Sequence, residues 1–222
     1  MPPLSDDQVD AIARRVLSQM AGGAPPALSP MAERAVAHRG ALPAGCFRTI
    51  DECVAAARKA FVAFSELGIQ KHKTIITALR AAMLEHGDEL ARMAHEETGL
   101  GRIESKRLKN RLVTEKTPGP EELESVAWTG DDGLTLVERA PYGVIGAITP
   151  TTNPTSTIIC NSIGMLSAGN AVVFNVHPSA KNVSLYNVGL LNDAIVKAGG
   201  PPNVICAMAE PTIESAKALM TH

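Results

Sequence analysis

The sequence is poor in aromatic residues and in cysteine, and it has no long hydrophobic run. Aromatic side chains make up 3% of its 222 residues, so the core must be built from aliphatic side chains. The four cysteines form no CxxC pair and show no metal-ligand spacing, which predicts free thiols and no metal site. No apolar run is long enough to span a membrane, and the amino terminus lacks the apolar segment of a secretory signal. These absences predict a protein of the reducing cytoplasm, without a membrane partner.

The sequence also lacks an excess of charge of either sign. Its formal net charge is −2, with 20% charged and 45% hydrophobic residues, which is ordinary for a globular protein. A nearly neutral balance argues against nucleic acid or an anionic membrane as the main partner. The length suits one large domain or two small ones.

Residues 1–20 contain an amphipathic segment. Ser5 and Gln8 form a capping-box signature, and apolar residues then recur on one helical face over residues 4–20. A helix this short is marginal alone in water, so its apolar stripe needs a partner surface. Residues 21–44, which begin with a Gly- and Pro-rich stretch, form a linker. The helix either docks to another protein or folds back on its own domain.

Residues 45–125 are predicted to form an antiparallel layer of four helices. Thr49 and Glu52 make a second capping box, and Gly87 with Asp88 interrupts the helical pattern that follows. Glu96 and Glu97 are interpreted as a solvated helix end, because neighbouring side chains on a helix point apart. The first predicted helix begins at Thr49. The other three cover residues about 71–86, about 88–97 and about 103–113.

Residues 126–140 are predicted to form a β-hairpin. The alternating pattern of residues 134–139 indicates a strand, and Asp131-Asp132-Gly133 before it is a hairpin turn signal. Residues 126–129 are therefore its partner strand.

From residue 141 the pattern changes to apolar strands that alternate with helices. Strands near 143–149, 171–175 and 204–207 precede helices near 155–168, 180–197 and 212–220. Such alternation predicts parallel βαβ units with both faces of the sheet covered, so residues 144–148 should be a buried strand.

The loop Thr149–Pro154 follows the first of these strands and is held between two prolines. A polar, stiff loop at the carboxyl end of a parallel strand is the usual place for a ligand in an open α/β sheet.

The whole segment from Tyr142 to Thr155 resembles the aldehyde dehydrogenase superfamily. It is most similar to the CoA-acylating branch, which includes the propionaldehyde and acetaldehyde dehydrogenases of bacterial microcompartments. Residues 96–104, 159–164, 169–175 and 210–214 continue the match in order, so the resemblance covers roughly residues 45–222. It implies an α/β, aldehyde-dehydrogenase-like fold: an incomplete Rossmann-type parallel sheet at 141–222, an N-terminal helical layer, and an oligomerisation-type β-hairpin.

The resemblance also implies a chemistry and its partners. In this branch a cysteine thiolate attacks a small aldehyde, hydride passes to NAD, and coenzyme A takes the acyl group. The amphipathic start resembles the peptides that direct such enzymes into microcompartments, so residues 4–20 are expected to bind a shell protein. The full-length protein is expected to be a homo-oligomer in the cytoplasm, inside such a compartment.

The resemblance assigns site residues to three loops. Asn153 is the expected oxyanion donor, with Thr152 as the other candidate, because the wider superfamily has its Asn where Thr152 stands. Alternatively, Asn153 bonds only its own backbone in a Pro-flanked turn. The residues expected to bind the cofactor are Ile148, Thr149, Pro150, Thr151, Asn175, His177, Pro178, Pro211 and Thr212.

Three of these assignments leave alternatives open. Asn175 stands where hydrolysing relatives have a lysine that meets the adenosine ribose, which puts that contact in question. His177 either touches a phosphate or ribose or is a structural loop histidine. The helix that Pro211 and Thr212 begin either receives a phosphate on its free N–H groups or starts with a plain turn.

The site residues that the resemblance assigns do not include the nucleophile. None of the four cysteines stands in the family's nucleophile motif, so the chain is expected to be the first part of the enzyme, inactive without a catalytic domain. The competing hypothesis is a non-catalytic adaptor that docks through residues 4–20 to a shell or to a full-length partner.

Overall fold

The computed structural model describes residues 42–222. The predicted helix at 4–20 and nearly all of the predicted linker lie outside this range. Within it the chain has the predicted α/β fold, with a parallel sheet, six α-helices and a separate hairpin. In chain order the elements are β1 (Cys46–Phe47), α1 (Ile50–Ser65), α2 (Ile69–Thr98), α3 (Ile103–Lys116), β2 (Val126–Gly130), β3 (Gly133–Val137), β4 (Val144–Ile148), α4 (Pro154–Ser167), β5 (Ala171–Asn175), α5 (Lys181–Lys197), β6 (Ile205–Met208) and α6 (Ile213–Thr221), with 3-10 turns at Pro120–Glu122 and Pro178–Ala180.

The main sheet has the strand order β1-β6-β5-β4, and all of its pairs are parallel. All five residues of β5 are buried, because neighbouring strands and helices cover both its edges and its faces. The expectation that β4 is likewise buried is wrong: β4 is the edge strand of the described sheet, and Gly146 and Ile148 are exposed. The two-residue strand β1 was not predicted, since so short a strand has no readable periodicity.

The helices lie in two groups. Helices α4 and α5 pack together with α2, and α3 packs against α2 and α4. Helix α1 instead contacts β4, β5, β6 and α6. The prediction of one layer from residue 49 onward is therefore wrong for α1, whose apolar stripe covers the sheet itself. Within residues 42–222, no helix is both long and apolar enough to cross a membrane.

Helix α2 runs without a break through Gly87 and Asp88, so the prediction of two helices there is wrong. Gly87 is buried, and the side-chain amide of Asn110 on α3 donates to its carbonyl at 3.1 Å. The glycine thus lies where α3 packs against α2, and does not end the helix. The predicted capping box of Thr49 and Glu52 is confirmed. Helix α2 ends at Gly99, whose backbone is left-handed (φ 65°).

The hairpin of β2 and β3 is confirmed, with Trp128 opposite Thr135 and Gly130 opposite Gly133. Every residue of both strands is exposed. The exposed side chains of the hairpin include the large apolar residues Trp128, Leu134 and Leu136.

Candidate functional site

The loop Thr149–Pro154 lies at the carboxyl edge of the sheet, beside the end of β5. The backbone N–H of Thr149 donates to the carbonyl of Asn175 at 3.3 Å, which joins the two strand ends. Pro154 is the first residue of α4, where its missing N–H costs no hydrogen bond. The loop is therefore fixed at both ends.

Two hydroxyl groups of this loop have no partner within the described part of the chain. The Oγ1 atoms of Thr149 and Thr151 are buried and form no hydrogen bond with any residue of the described range. Thr149 as a whole is 2% exposed. Buried polar groups are nearly always hydrogen-bonded, so these hydroxyls suit a ligand that brings its own polar groups.

Asn153 precedes α4 and makes no side-chain bond to its own helix. Its Oδ1 accepts a hydrogen bond from the Lys109 ammonium at 2.5 Å. The alternative in which Asn153 only bonds its own backbone is therefore wrong, because a charged donor from α3 holds its carbonyl oxygen. Thr152 is exposed, and its backbone carbonyl accepts from Lys106 at 3.2 Å.

Lys106 is 7% exposed, which is unusual for a lysine. Burial lowers its pKa, and the nearby charge of Lys109 lowers it further. The sequence signal for these contacts is a stripe of polar residues with helical spacing on α3, which the predicted site did not include. The stripe consists of Lys106, Asn110 and Thr114, and all three residues are buried.

Beneath the loop, a chain of buried polar side chains fixes the start of α4. The Thr155 hydroxyl donates to Asn110 Oδ1 at 2.8 Å, and Asn187 Nδ2 donates to the Thr155 carbonyl at 3.2 Å. These bonds connect α3, α4 and α5. These two bonds tie the start of α4 to both neighbouring helices, whereas the buried Oδ1 of Asn187 has no hydrogen-bond partner within residues 42–222.

Asn175 uses both ends of its amide within the protein. Its Oδ1 accepts from the Ser215 hydroxyl at 2.6 Å, and its Nδ2 lies 3.4 Å from the Thr212 carbonyl. At 3% exposure, its side chain supports the start of α6. Both polar ends of the Asn175 amide are thus engaged within the protein, and its assignment to the cofactor stays a prediction.

The first turn of α6 is also occupied by protein groups. Thr212 and Ser215 form a reciprocal capping box, with bonds of 2.8 and 3.0 Å. The N–H of Glu214 and the Thr212 hydroxyl lower the pKa of the Glu214 carboxyl. The assignment of Pro211 and Thr212 to a phosphate stays a prediction, and a phosphate would have to displace these groups.

His177 and Pro178 are exposed beyond the end of β5. The Nδ1 atom of His177 accepts from the Ser179 N–H at 3.2 Å and caps the 3-10 turn. This bond supports the structural interpretation of His177 and leaves only its Nε2 for a ligand.

Glu97 is not part of a solvated helix end. Its two carboxylate oxygens accept from the backbone N–H groups of Asn182 and Val183, each at 2.8 Å. Glu96 is exposed, so the expectation holds for Glu96 and is wrong for Glu97. The Glu97 carboxylate thus occupies the amino terminus of α5, where the helix dipole favours negative charge.

Ile148 borders a hollow on the open side of β4. The hollow has a volume of about 420 Å³ and is lined by Gly146, Ile148, Leu219 and Met220. Ile148 is 51% exposed, so its side chain is accessible to a ligand or to a further protein segment.

Three of the cysteines are poor nucleophiles. Burial raises the pKa of Cys46 and Cys53 to about 12, and also raises that of Cys206. All four cysteines are free thiols, and only Cys160 is partly exposed. Within residues 42–222, no group of three or more His, Cys, Asp or Glu side chains could hold a metal ion.

Residues 26–222 match the sequence model of the Aldehyde dehydrogenase family. The chain is 46% identical over 178 residues to an acetylating acetaldehyde dehydrogenase of Bilophila wadsworthia, an alignment that covers 80% of this chain and 36% of that protein. It also resembles two solved propionaldehyde dehydrogenases. One comes from the fucose utilisation bacterial microcompartment of Clostridium phytofermentans (50% identity, TM-score 0.78, 81% of this chain and 41% of that chain). The other, from Rhodopseudomonas palustris, contains bound CoA and an acylated cysteine (48% identity, TM-score 0.78, 80% and 41%). The chain thus spans less than half the length of these relatives.

Proposed function

This chain belongs to the aldehyde dehydrogenase family, and we propose that it supplies the amino-terminal, cofactor-binding part of a CoA-acylating dehydrogenase of short aldehydes such as propionaldehyde or acetaldehyde. The main observation in support is the loop Thr149–Pro154. It combines, at one strand end, an amide donor, two ammonium groups and two buried hydroxyls that have no partner within residues 42–222. The similarity to an acetylating acetaldehyde dehydrogenase and to a propionaldehyde dehydrogenase with bound CoA supports the reaction class.

Asn153 is proposed to donate to the oxyanion that forms when a thiolate attacks the aldehyde. An amide N–H stabilises such an oxyanion without changing its own charge, and a preorganised donor strengthens the interaction in the transition state. The exposed side chain of Thr152 is the other candidate donor.

The cofactor is proposed to bind along Ile148–Thr151. Bound there, NAD would accept the hydride. Thr149 and Thr151 fit this role because their buried hydroxyls lack partners in the part of the chain that the structure describes. Ile148 and Pro150 offer exposed apolar surface. His177, Pro178, Pro211 and Thr212 are proposed as more distant contacts of NAD or coenzyme A. Asn175 would act indirectly, by supporting α6.

The nucleophilic thiolate is proposed to come from a domain that is not part of this sequence. A thiolate is needed at neutral pH, whereas burial raises the pKa values of Cys46, Cys53 and Cys206.

Two further parts of the proposal concern partners. Residues 4–20 would bind a microcompartment shell protein, and the hairpin β2–β3 would join copies of the protein in an oligomer.

The test is to express the whole open reading frame that contains this chain and to incubate it with propionaldehyde or acetaldehyde and NAD. We expect NADH formation that requires coenzyme A, with the acyl-CoA identified by mass spectrometry. Acid formation without coenzyme A would contradict the acylating assignment. If no aldehyde is oxidised, the adaptor hypothesis remains, and capture of shell protein with and without residues 1–20 would test it.

A further inference from the structure

We propose that Lys109 and Lys106 are positioning residues that hold the end of the loop so that the Nδ2 group of Asn153 is its free hydrogen-bond donor. This inference rests on the proposed function, because it names what orients the oxyanion donor. Neither lysine is assigned a role by the sequence motifs or by the relatives described above.

The first step is the orientation of the Asn153 amide. A lysine ammonium has three donors and no acceptor, so the atom that faces it must be the amide oxygen. Lys109 is exposed, and its Nζ donates to Asn153 Oδ1, a bond that is charge-assisted because its donor is ionised. The opposite end of the amide, Nδ2, forms no hydrogen bond within residues 42–222 and is not among the buried unpartnered atoms. It is therefore available to a ligand.

The backbone that carries this amide is also held by α3. Lys106 donates to the carbonyl of Thr152 at 3.2 Å, directly before Asn153. Lys106 and Lys109 are three residues apart on α3, so they reach the same loop from one helix face. Asn110 of the same helix accepts from Thr155 at 2.8 Å. One face of α3 thus fixes the residues on both sides of Asn153 as well as its side chain.

The positive charges of Lys106 and Lys109 also favour this role. Neither Lys106 nor Lys109 forms an ion pair with a carboxylate within the described part of the chain. Both are bound to neutral oxygens, so their positive charge is not cancelled locally. An ammonium on Oδ1 polarises the amide and strengthens the donor at Nδ2. A negative charge that develops beside Nδ2 would be stabilised by the same field.

A kinetic test uses the product of the whole open reading frame. In Lys109→Met, kcat should fall about 10-fold to 100-fold, less than the about 100-fold to 1,000-fold loss expected for Asn153→Ala. The KM values for NAD and coenzyme A should stay unchanged, and Lys109→Arg should recover part of kcat. Lys116→Met is the matched control, because Lys116 is exposed at the end of the same helix.

A double-mutant cycle separates positioning from a general structural effect. In the Asn153→Ala background, Lys109→Met should cost little more, because the group that it orients is gone. An equal loss in both backgrounds would overturn the proposal.

A second measurement does not need turnover and uses the same product of the whole open reading frame. NMR spectra selective for lysine ammonium groups should show slower proton exchange at Lys106 and Lys109 than at Lys116. Asn153→Ala should shift or broaden the Lys109 signal and spare that of Lys106. If the Lys109 signal does not change, the proposal is wrong. If the parent enzyme has no activity but these signals behave as expected, the proposed function fails while the positioning contact stands.

Discussion

The hydroxyl of Ser215 donates a 2.6 Å hydrogen bond to Oδ1 of Asn175, a residue 40 positions earlier in the chain. This bond fastens the start of α6 to the end of β5. It also explains why Asn175, which the sequence placed at a ligand site, is 3% exposed. Asn175 therefore contributes to the candidate site by stabilising the contact between β5 and α6.

Ser215→Ala should therefore lower the free energy of unfolding by about 1–3 kcal/mol, because it leaves the buried Oδ1 of Asn175 without a donor and removes half of the capping box. Urea denaturation measures this change. Asn175→Ala should cost less in the Ser215→Ala background than alone. Thr221→Ala, at an exposed hydroxyl of the same helix, is the control. Strict additivity of the two changes would show that the bond contributes nothing.

Glu97→Ala should destabilise the protein by about 1–2 kcal/mol, since the N–H groups of Asn182 and Val183 lose their acceptor. Glu96→Ala is the matched control at the exposed neighbour and should change the free energy of unfolding by less than about 0.5 kcal/mol. Equal effects of the two substitutions in chemical denaturation would refute the capping role.

The same carboxyl group gives a prediction for pH dependence. Burial raises the pKa of Glu97 more than its two backbone N–H donors lower it. The folded state then binds the proton more tightly than the unfolded state, so this contribution to stability is present below the unfolded pKa and is lost as pH rises through the folded pKa. Relative to the parent, Glu97→Gln should gain stability as pH rises through this range. A difference that does not vary with pH, in denaturation series at several pH values, would contradict it.

Gly87→Ala should stabilise the protein by about 0.5–1 kcal/mol, because alanine favours a helix interior over glycine. The nearest atom to an added Cβ is the Cβ of Asn110 at 4.0 Å, an ordinary contact. Gly200→Ala is the contrasting variant. Its Cβ would lie 2.6 Å from Ile195 Cγ2 and 2.9 Å from Ile75 Cδ1, so it should lose about 1–3 kcal/mol. Thermal unfolding of both variants checks the prediction, and a loss of stability in Gly87→Ala would mean that α2 does break at this glycine.

In the folded chain, iodoacetamide at neutral pH should modify only Cys160. The other three thiols are buried, and the raised pKa values of Cys46 and Cys53, about 12 for each, leave almost no thiolate. Mass spectrometry should find at most one label before unfolding and four after it. Cys160→Ser should remove the native label. Fast labelling of Cys46 or Cys53 in the native state would reopen the search for the nucleophile within this chain.

The sequence by itself determined those elements whose signals are local. The capping box of Thr49 and Glu52, the hairpin around Asp131 and the three strand-helix units after residue 141 follow from turn chemistry and from the spacing of apolar residues along a few turns or strands. The place of the candidate loop, at the carboxyl end of β4, followed from the same alternation.

Only the tertiary structure decided what supports that loop. Lys109 meets Asn153 across 44 residues, and Glu97 meets Val183 across 86. Such contacts depend on which helix faces pack together, and no local pattern encodes the partner. The unbroken helix at Gly87 has the same cause, because this glycine is buried against α3 and its carbonyl accepts from the side-chain amide of Asn110. Within the described residues, β4 pairs with β5 alone, and the exposure of Ile148 follows from that pairing and not from its hydrophobicity.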